Sequence, residues 1–160
     1  MNGEELDKLL KRAIGPKYVG IFAADEIQSI LDRGGGDSSF CFIANTDYSH
    51  EPGEHWVAFY VVSPILEFFD SYGQHPHVYF PHLQFVSSSS HLPYTLHFNN
   101  QKLQKFNSSV CAHYCLYYVY LRVVMHKSMN SIINSLSQYR TPHPDQSVKS
   151  FFIRVLQNFK

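Results

Sequence analysis

The sequence predicts a fold that combines α-helices with β-strands around one apolar helix. Two runs rich in apolar and aromatic residues, His55 to Val62 and Ile65 to Asp70, are typical of strands, and Ser63-Pro64 between them predicts a tight turn. Val110 to Met125 is apolar nearly all round, as expected of a helix in the centre of a protein. The chain has 160 residues, enough to bury a core, and we expect a single domain over residues 1–160.

Further elements are predicted on either side of this hairpin. Asn2-Gly3-Glu4-Glu5 matches a capping box, and apolar residues at helical spacing follow it until Gly15-Pro16 ends the helix. The pattern also predicts a short helix from Ala24 to Leu31 and strands from Ser39 to Ala44 and from Tyr94 to Phe98.

The tight turn of the hairpin fixes which residues of its two strands face each other. If Val62 pairs with Ile65, then Val57 lies opposite Asp70, and cross-strand partners share one face of a sheet. His55 lies two residues before Val57 and therefore shares that face. We expect the Asp70 carboxylate to reach the His55 imidazole, whereas a slip of one residue would place them on opposite faces.

Cys111 stands at the start of the apolar helix, directly after an Asn107–Ser109 segment that can cap it. Unsatisfied backbone N–H groups and the helix dipole favour the nucleophilic thiolate at such a position. Gln104, seven residues earlier, has a side-chain amide that can donate to an oxyanion. With His55 and Asp70 these are the parts of a Cys–His–Asp hydrolase, in which histidine moves the proton and aspartate orients the histidine.

Metal binding and a purely structural role are the competing interpretations of the cysteines. His113 lies two residues from both Cys111 and Cys115, on a different side of the helix, and no second ligand pair is suitably spaced, so we expect no metal. Cys115, deeper in the helix, and Cys41, in a buried strand, are expected in the core. Taken alone, Cys111 would fit a core position as well, and its occurrence with the histidine, carboxylate and glutamine favours the nucleophile.

Composition argues against several other function classes. Lys and Arg total 13, as do Asp and Glu, which does not favour a strongly electrostatic binder of nucleic acid or membranes. No apolar run is long enough to span a bilayer, and the acidic start is unlike a secretory signal. An odd number of cysteines, three, predicts free thiols in a reducing, intracellular setting. We expect a monomer without cofactors.

These motifs, in this order, resemble those of the adenovirus-type maturation cysteine proteases (adenain) and, more distantly, of the SUMO-specific proteases. The resemblance covers roughly Gly20 to Val124. Its matching segments are Phe42-Ile43-Ala44-Asn45-Thr46, His55-Trp56-Val57-Ala58-Phe59, Phe68-Phe69-Asp70-Ser71-Tyr72-Gly73 and Gln104 to Cys115. Virophages and Polinton/Maverick transposons encode related proteases, so a viral and a transposon origin both stay open.

The resemblance implies an α+β, permuted papain-like cysteine protease fold, with a central helix packed on a mixed sheet and flanking helices. By analogy we place two final helices from about Ser128 to Tyr139 and from about Asp145 to Phe159. The implied reaction is hydrolysis of peptide bonds next to small residues such as glycine. The implied substrates are capsid or virion precursor polypeptides, matured in the nucleus or virus factory of a host cell or in the virion.

Carried over position by position, the catalytic residues of the family fall on His55, Asp70, Gln104 and Cys111, and the candidate substrate-binding residues are Trp56 and Asn45. Ala112 departs from the family, which usually has glycine after the nucleophile, and Asp70 stands where adenoviral enzymes have glutamate. Adenoviral enzymes bond an activating peptide through a cysteine that the region around Leu92-Pro93-Tyr94 lacks. We therefore expect activation neither by such a peptide nor, given the neutral charge, by DNA.

Two alternative functions stay open at this point. A protease that removes a ubiquitin-like protein of the SUMO type would share the mechanism but need a surface for the modifier. An inactive scaffold that kept the fold would instead bind a structural protein. The departure from the family at Ala112 is compatible with this alternative. The reactivity of Cys111 separates the scaffold from both proteases.

Overall fold

A five-stranded mixed sheet with helices packed on both faces forms the centre of the protein in the computed structural model, which describes residues 2–33, 38–87, 94–137 and 139–159. The strands are β1 (Tyr18–Phe22), β2 (Phe40–Asn45), β3 (Trp56–Val62), β4 (Ile65–Phe69) and β5 (Thr95–Phe98). The helices are α1 (Gly3–Ile14), α2 (Ile27–Arg33), α3 (Gln84–Ser87), α4 (Cys111–Val123), α5 (Met129–Ser135) and α6 (Pro144–Asn158), with 3₁₀ turns at Ala24–Glu26 and Pro76–Tyr79. The expected α+β architecture is confirmed.

The strands follow one another across the sheet in chain order. The outer pairs, β1 with β2 and β4 with β5, are parallel, whereas β3 runs antiparallel to both of its neighbours. In the hairpin Val62 pairs with Ile65 and Ala58 with Phe69. The predicted register is therefore confirmed, and it carries Asp70 just beyond the end of β4, next to Val57.

The central helix α4 packs against one face of the sheet, together with α1, α5 and α6. The ring of Tyr118 stacks on Phe69 of β4 at 4.4 Å between centroids, and its hydroxyl donates to the buried carboxylate of Glu67. Arg122, one turn further along α4, pairs with the same carboxylate at 2.9 Å. These contacts fix the rotation and height of α4 on the sheet, and so fix where its first residue lies.

Cys41 and Cys115 both belong to this core, as expected, with 0% and 1% of their surfaces exposed. Burial raises the pKa of Cys41 to about 12 and holds the pKa of Cys115 well above its usual value. Both side chains therefore remain protonated thiols at neutral pH, and neither competes with an activated cysteine for an electrophile.

The predicted capping box at Asn2 and Glu5 is present. Several other boundaries differ from those predicted. The helix expected from Ala24 begins as a 3₁₀ turn and continues as α2, and the helix expected to reach Tyr139 ends at Ser135. The strand β1 was not predicted: it has five residues, Gly20 interrupts its run of strand-forming side chains, and it pairs in parallel with β2.

Candidate active site

The imidazole of His55 and the carboxylate of Asp70 meet at the open end of the β3–β4 hairpin. His55 immediately precedes β3 and Asp70 immediately follows β4, and the distance from His55 Nε2 to Asp70 Oδ1 is 2.7 Å. Asp70 is fully buried. This contact is the one that the hairpin register predicted.

Three further donors hold the Asp70 carboxylate. The backbone N–H of Tyr72 donates to Oδ1 at 2.9 Å, and the backbone N–H of Gln74 donates to Oδ2 at 3.2 Å. The hydroxyl of Tyr79 donates to Oδ2 at 2.6 Å. Burial beside this carboxylate raises the pKa of Tyr79, so that its hydroxyl stays protonated and remains a donor. These donors compensate the burial of the carboxylate and hold it where it can orient the His55 ring.

The thiol of Cys111 and the imidazole of His55 line the same cleft and lie close enough to shift the pKa values of each other. Because Nε2 of His55 faces Asp70, Nδ1 is the nitrogen left for the sulfur. The backbones of Trp56, in β3, and of Ala112, in the first turn of α4, also help to lower the pKa of the sulfur. Cys111 thus lies between the sheet and the helix.

The start of α4 differs from the one expected. Val110 is the N-cap residue and no side chain caps the helix, so the prediction that Asn107–Ser109 supplies the cap is wrong. The Ser108 hydroxyl donates instead to the backbone carbonyl of Lys105, and its N–H donates to the same carbonyl, closing a turn before the helix. No side chain of Val110 caps the helix, which leaves the backbone N–H of Cys111 available beside the cleft that Cys111 lines.

The pKa values of the two reacting groups shift toward each other. Burial by itself would raise the pKa of the Cys111 thiol, but the hydrogen bond and charge of His55, with the two backbone hydrogen bonds, hold that pKa below its usual value. Burial also opposes charge on His55, yet its contacts with Asp70 and Cys111 raise the pKa of His55 to about 9. Both shifts favour a thiolate beside an imidazolium.

Gln104 lies in the same cleft, with 2% of its surface exposed. Its Nε2 donates to the backbone carbonyl of Ser108 at 2.6 Å, and its Oε1 accepts from the hydroxyl of Ser71 at 2.6 Å. A carbonyl can only accept, so this pair of contacts fixes which end of the amide is which. Among the described residues the second N–H of Nε2 has no partner, and its service to an oxyanion stays a prediction.

A cleft of about 710 Å³ contains His55, Gln104 and Cys111. The half-buried indole of Trp56 forms part of its wall and packs on α1 so closely that a Cβ at Gly3 would lie 2.9 Å from the ring. Phe106 stands on the rim with 79% of its surface exposed. The arrangement of nucleophile, base, carboxylate and amide donor can carry out acyl transfer on a carbonyl group held here.

Comparisons with known proteins add a likeness in fold at low similarity. No protein-family model matches the chain, and no curated protein matches it either. A solved structure of the SUMO protease Ulp1, with its catalytic cysteine oxidised to a sulfinic acid, overlaps 100% of this chain and 79% of its own. Its TM-score is 0.49 and its sequence identity is 11%. What this chain does has to be decided by the geometry of its own site.

Asn45, the second candidate substrate-binding residue, lies at the end of β2 and outside the residues that line the cleft. Its side-chain oxygen accepts from the backbone N–H of Asp47 at 2.9 Å, and its amide lies against Gly53. These contacts shape the loop that leads to His55. A direct role for Asn45 in substrate binding remains a prediction.

Sequence reasoning missed the residues that hold Asp70 and Gln104 in place by hydrogen bonds. Asn99 clamps the backbone of Asp70 from both sides: its Oδ1 accepts from the Asp70 N–H at 2.9 Å and its Nδ2 donates to the Asp70 carbonyl at 2.6 Å. Tyr79 and Ser71 were missed as well. Of these, only Ser71 had a local signal, since it directly follows the carboxylate in the chain.

Within the described ranges no helix is long and apolar enough to cross a membrane, and no group of three or more His, Cys, Asp and Glu side chains could hold a metal ion. Residues 92 and 93, in the region compared with the peptide-bonding cysteine of adenoviral enzymes, lie outside the described residues.

The turn after Asp70 requires glycine, and Gly73→Ala is expected to lower the free energy of unfolding by about 2 kcal/mol or more. Gly73 has φ +68°, and a Cβ there would lie 2.5 Å from the backbone carbon of Gln101. Gly15→Ala is the matched control, because Gly15 has φ +79° with nothing within 4 Å of the added atom. Urea denaturation should show the larger loss for Gly73, and equal losses would mean that the turn absorbs the collision.

Removal of the Tyr79 hydroxyl should weaken the hold on Asp70 without abolishing it. Tyr79→Phe deletes one donor to Oδ2 and leaves the N–H of Gln74, so we expect kcat/KM for a cleaved substrate to fall about tenfold. Tyr139→Phe, at an exposed tyrosine, is the control. Equal kcat/KM for the two variants would show that Tyr79 does not act through the carboxylate.

Proposed function

We propose that this protein is a cysteine endopeptidase that hydrolyses peptide bonds in polypeptide substrates, with Cys111 as nucleophile. One observation supports it above all others: the Cys111 thiol contacts His55, which contacts the buried Asp70 at 2.7 Å, and the Gln104 amide shares their cleft. The lowered pKa of Cys111 and the raised pKa of His55 suit the same chemistry.

In the proposed reaction, the Cys111 thiolate attacks the carbonyl carbon of the scissile peptide bond. The oxygen gains the electron pair, and the tetrahedral intermediate collapses to a thioester as the carbon–nitrogen bond breaks. The His55 imidazolium gives its proton to the departing amine, then as neutral imidazole takes a proton from the water that attacks the thioester. Release of the carboxylate product regenerates the thiolate–imidazolium pair.

The oxyanion would receive two hydrogen bonds. One comes from the free N–H of the Gln104 amide, and the other from the backbone N–H of Cys111, the first residue of α4. Donors fixed before the reaction stabilise the developing charge without having to reorganise, and loss of one donor typically costs ~10²–10³ in rate. Both donors are held by neighbouring backbone and by the buried Ser71.

The substrate preference within this proposal rests on the resemblance of the motifs. We propose cleavage next to small residues of the glycine type in capsid or virion precursor proteins, by one domain acting as a monomer inside a host cell or a virion. Ala112 is compatible with activity, because it is half-buried at the cleft and its backbone hydrogen bond supports the sulfur.

The test is turnover of a peptide panel bearing Gly-Gly, Gly-Ala and Ala-Gly, by wild type and by Cys111→Ala, followed by mass spectrometry. Cleavage by the wild type alone supports the proposal and begins to define the preferred site. A fusion with a ubiquitin-like protein is assayed in parallel. Cleavage of the fusion alone favours the alternative, a protease that removes a ubiquitin-like protein. No cleavage of either substrate, together with slow alkylation of Cys111 by iodoacetamide, would contradict both proteases and favour the scaffold.

A further inference from the structure

Ser71 is a buried polar residue that the proposed reaction does not use directly. It follows Asp70 at the end of the hairpin, and 1% of its surface is exposed. Its hydroxyl donates to Oε1 of Gln104 at 2.6 Å. Its backbone carbonyl accepts from the N–H groups of Leu103 and Gln104, at 2.9 and 3.0 Å. Ser71 thus holds Gln104 through both main chain and side chain.

The Ser71 hydroxyl and the Ser108 carbonyl together hold the Gln104 amide in place. A primary amide has one accepting oxygen and two N–H donors, and it can rotate to exchange them. Here Oε1 is occupied by Ser71 and one N–H by the carbonyl of Ser108. Without the Ser71 hydroxyl, Oε1 would be a buried acceptor with its partner removed, and the Ser108 carbonyl alone would hold the amide.

Ser71 and Asp70 serve different parts of the site although they are neighbours in the chain. The Asp70 side chain points to His55, whereas the Ser71 side chain points to Gln104. The Asp70 carboxylate is held by Tyr72, Gln74 and Tyr79, so its hold on the His55 ring does not depend on the Ser71 hydroxyl.

We propose that Ser71 is a positioning residue that aims the free N–H of Gln104 at the oxyanion and leaves activation of the nucleophile unchanged. The proposal rests on the proposed peptidase function and deepens it, because it separates oxyanion stabilisation from formation of the thiolate. Two adjacent residues then serve the two functions: Asp70 orients His55 for thiolate formation, and Ser71 positions Gln104 for oxyanion stabilisation.

Two probes distinguish these functions. A peptide aldehyde ending in glycine adds to the Cys111 sulfur and gives a tetrahedral hemithioacetal whose oxygen occupies the oxyanion site. Iodoacetamide reacts with the same sulfur by displacing iodide at a saturated carbon and places no charge on an oxygen. For Ser71→Ala we expect the aldehyde to bind about 10-fold more weakly and kcat to fall about 10- to 100-fold with KM nearly unchanged. The pH profile of Cys111 alkylation should match that of the wild type.

A double-mutant cycle tests whether Ser71 acts through Gln104. Ser71→Ala should have little further effect on aldehyde affinity in the Gln104→Ala background, because the group it positions is gone. Ser135→Ala, which removes a hydroxyl that donates to the backbone carbonyl of Ile132 in α5, is the control and should behave as wild type. If Ser71→Ala fails to fold, Ser71→Cys keeps a weaker donor and should give a smaller loss of the same kind.

Either of two results would overturn the role of Ser71. One is a parallel loss of aldehyde affinity and alkylation rate in a folded variant, which indicates a general disturbance of the site. The other is a Ser71→Ala variant that behaves as wild type, or one whose loss of aldehyde affinity is just as large in the Gln104→Ala background. A wild type that neither cleaves peptides nor binds the aldehyde would contradict the proposed function instead, so the two failures are distinguishable.

Discussion

Replacing Cys111 with alanine is expected to lower kcat/KM for a cleaved peptide by about 10⁴-fold or more, because Cys111 is the cysteine that lines the cleft, whereas Cys41 and Cys115 are buried in the core. The substitution removes one atom at the start of α4, where the side chain is half-buried, so the fold should persist. Steady-state turnover is measured alongside circular dichroism, to separate loss of chemistry from loss of structure.

Cys115→Ala is the matched control for that variant. It removes the same atom one turn further along the same helix, from a thiol that is fully in the core and whose pKa is raised by burial. We expect a small loss of stability and turnover close to that of the wild type. Residual turnover in Cys111→Ala comparable with the control would show that another residue is the nucleophile.

His55→Ala should lower kcat/KM by about 10²–10⁴-fold, and it should also change the pH dependence of Cys111 alkylation. In the wild type the thiolate is stabilised by His55, so iodoacetamide should react at pH values below the ordinary pKa of a cysteine. Without the imidazole, burial is left as the largest influence on the sulfur and raises its pKa. Alkylation should therefore require a more alkaline solution.

The same pair predicts a bell-shaped pH profile for peptide hydrolysis. As pH falls through the lowered pKa of Cys111, the thiolate gains a proton and the rate declines. As pH rises through about 9, His55 loses the proton that the leaving amine needs, and the rate declines again. An alkylation profile that is identical in wild type and His55→Ala would show that the imidazole does not stabilise the thiolate.

The contact between His55 and Asp70 was predictable because it is local. Two adjacent strands joined by a tight turn have a register that the turn determines, and the alternation of side chains then places both groups on one face. The start of α4 at Cys111 was nearly right for a similar reason, since the apolar run begins there. Position along a regular element can be worked out from sequence alone.

Contacts between distant segments were not predictable in this way. Asn99 reaches Asp70 across 29 residues and Tyr79 reaches it across nine, and neither is marked by its neighbours in the chain. The cap assigned to Asn107–Ser109 was wrong because turn residues and capping residues are the same types, and here they close a turn at Lys105. The strand β1 was missed for a related reason, because its parallel pairing with β2 is a contact between separate segments of the chain.

The most direct test of the account is detection of an acyl group on Cys111. A p-nitrophenyl ester of a peptide ending in Gly-Gly is mixed rapidly with the wild type, nitrophenol release is followed, and the quenched protein is mapped by mass spectrometry. We predict a burst of about one nitrophenol per molecule and a thioester on Cys111, absent in Cys111→Ala. Turnover without an adduct on Cys111, or an adduct on another residue that persists in Cys111→Ala, would contradict the assignment of the nucleophile.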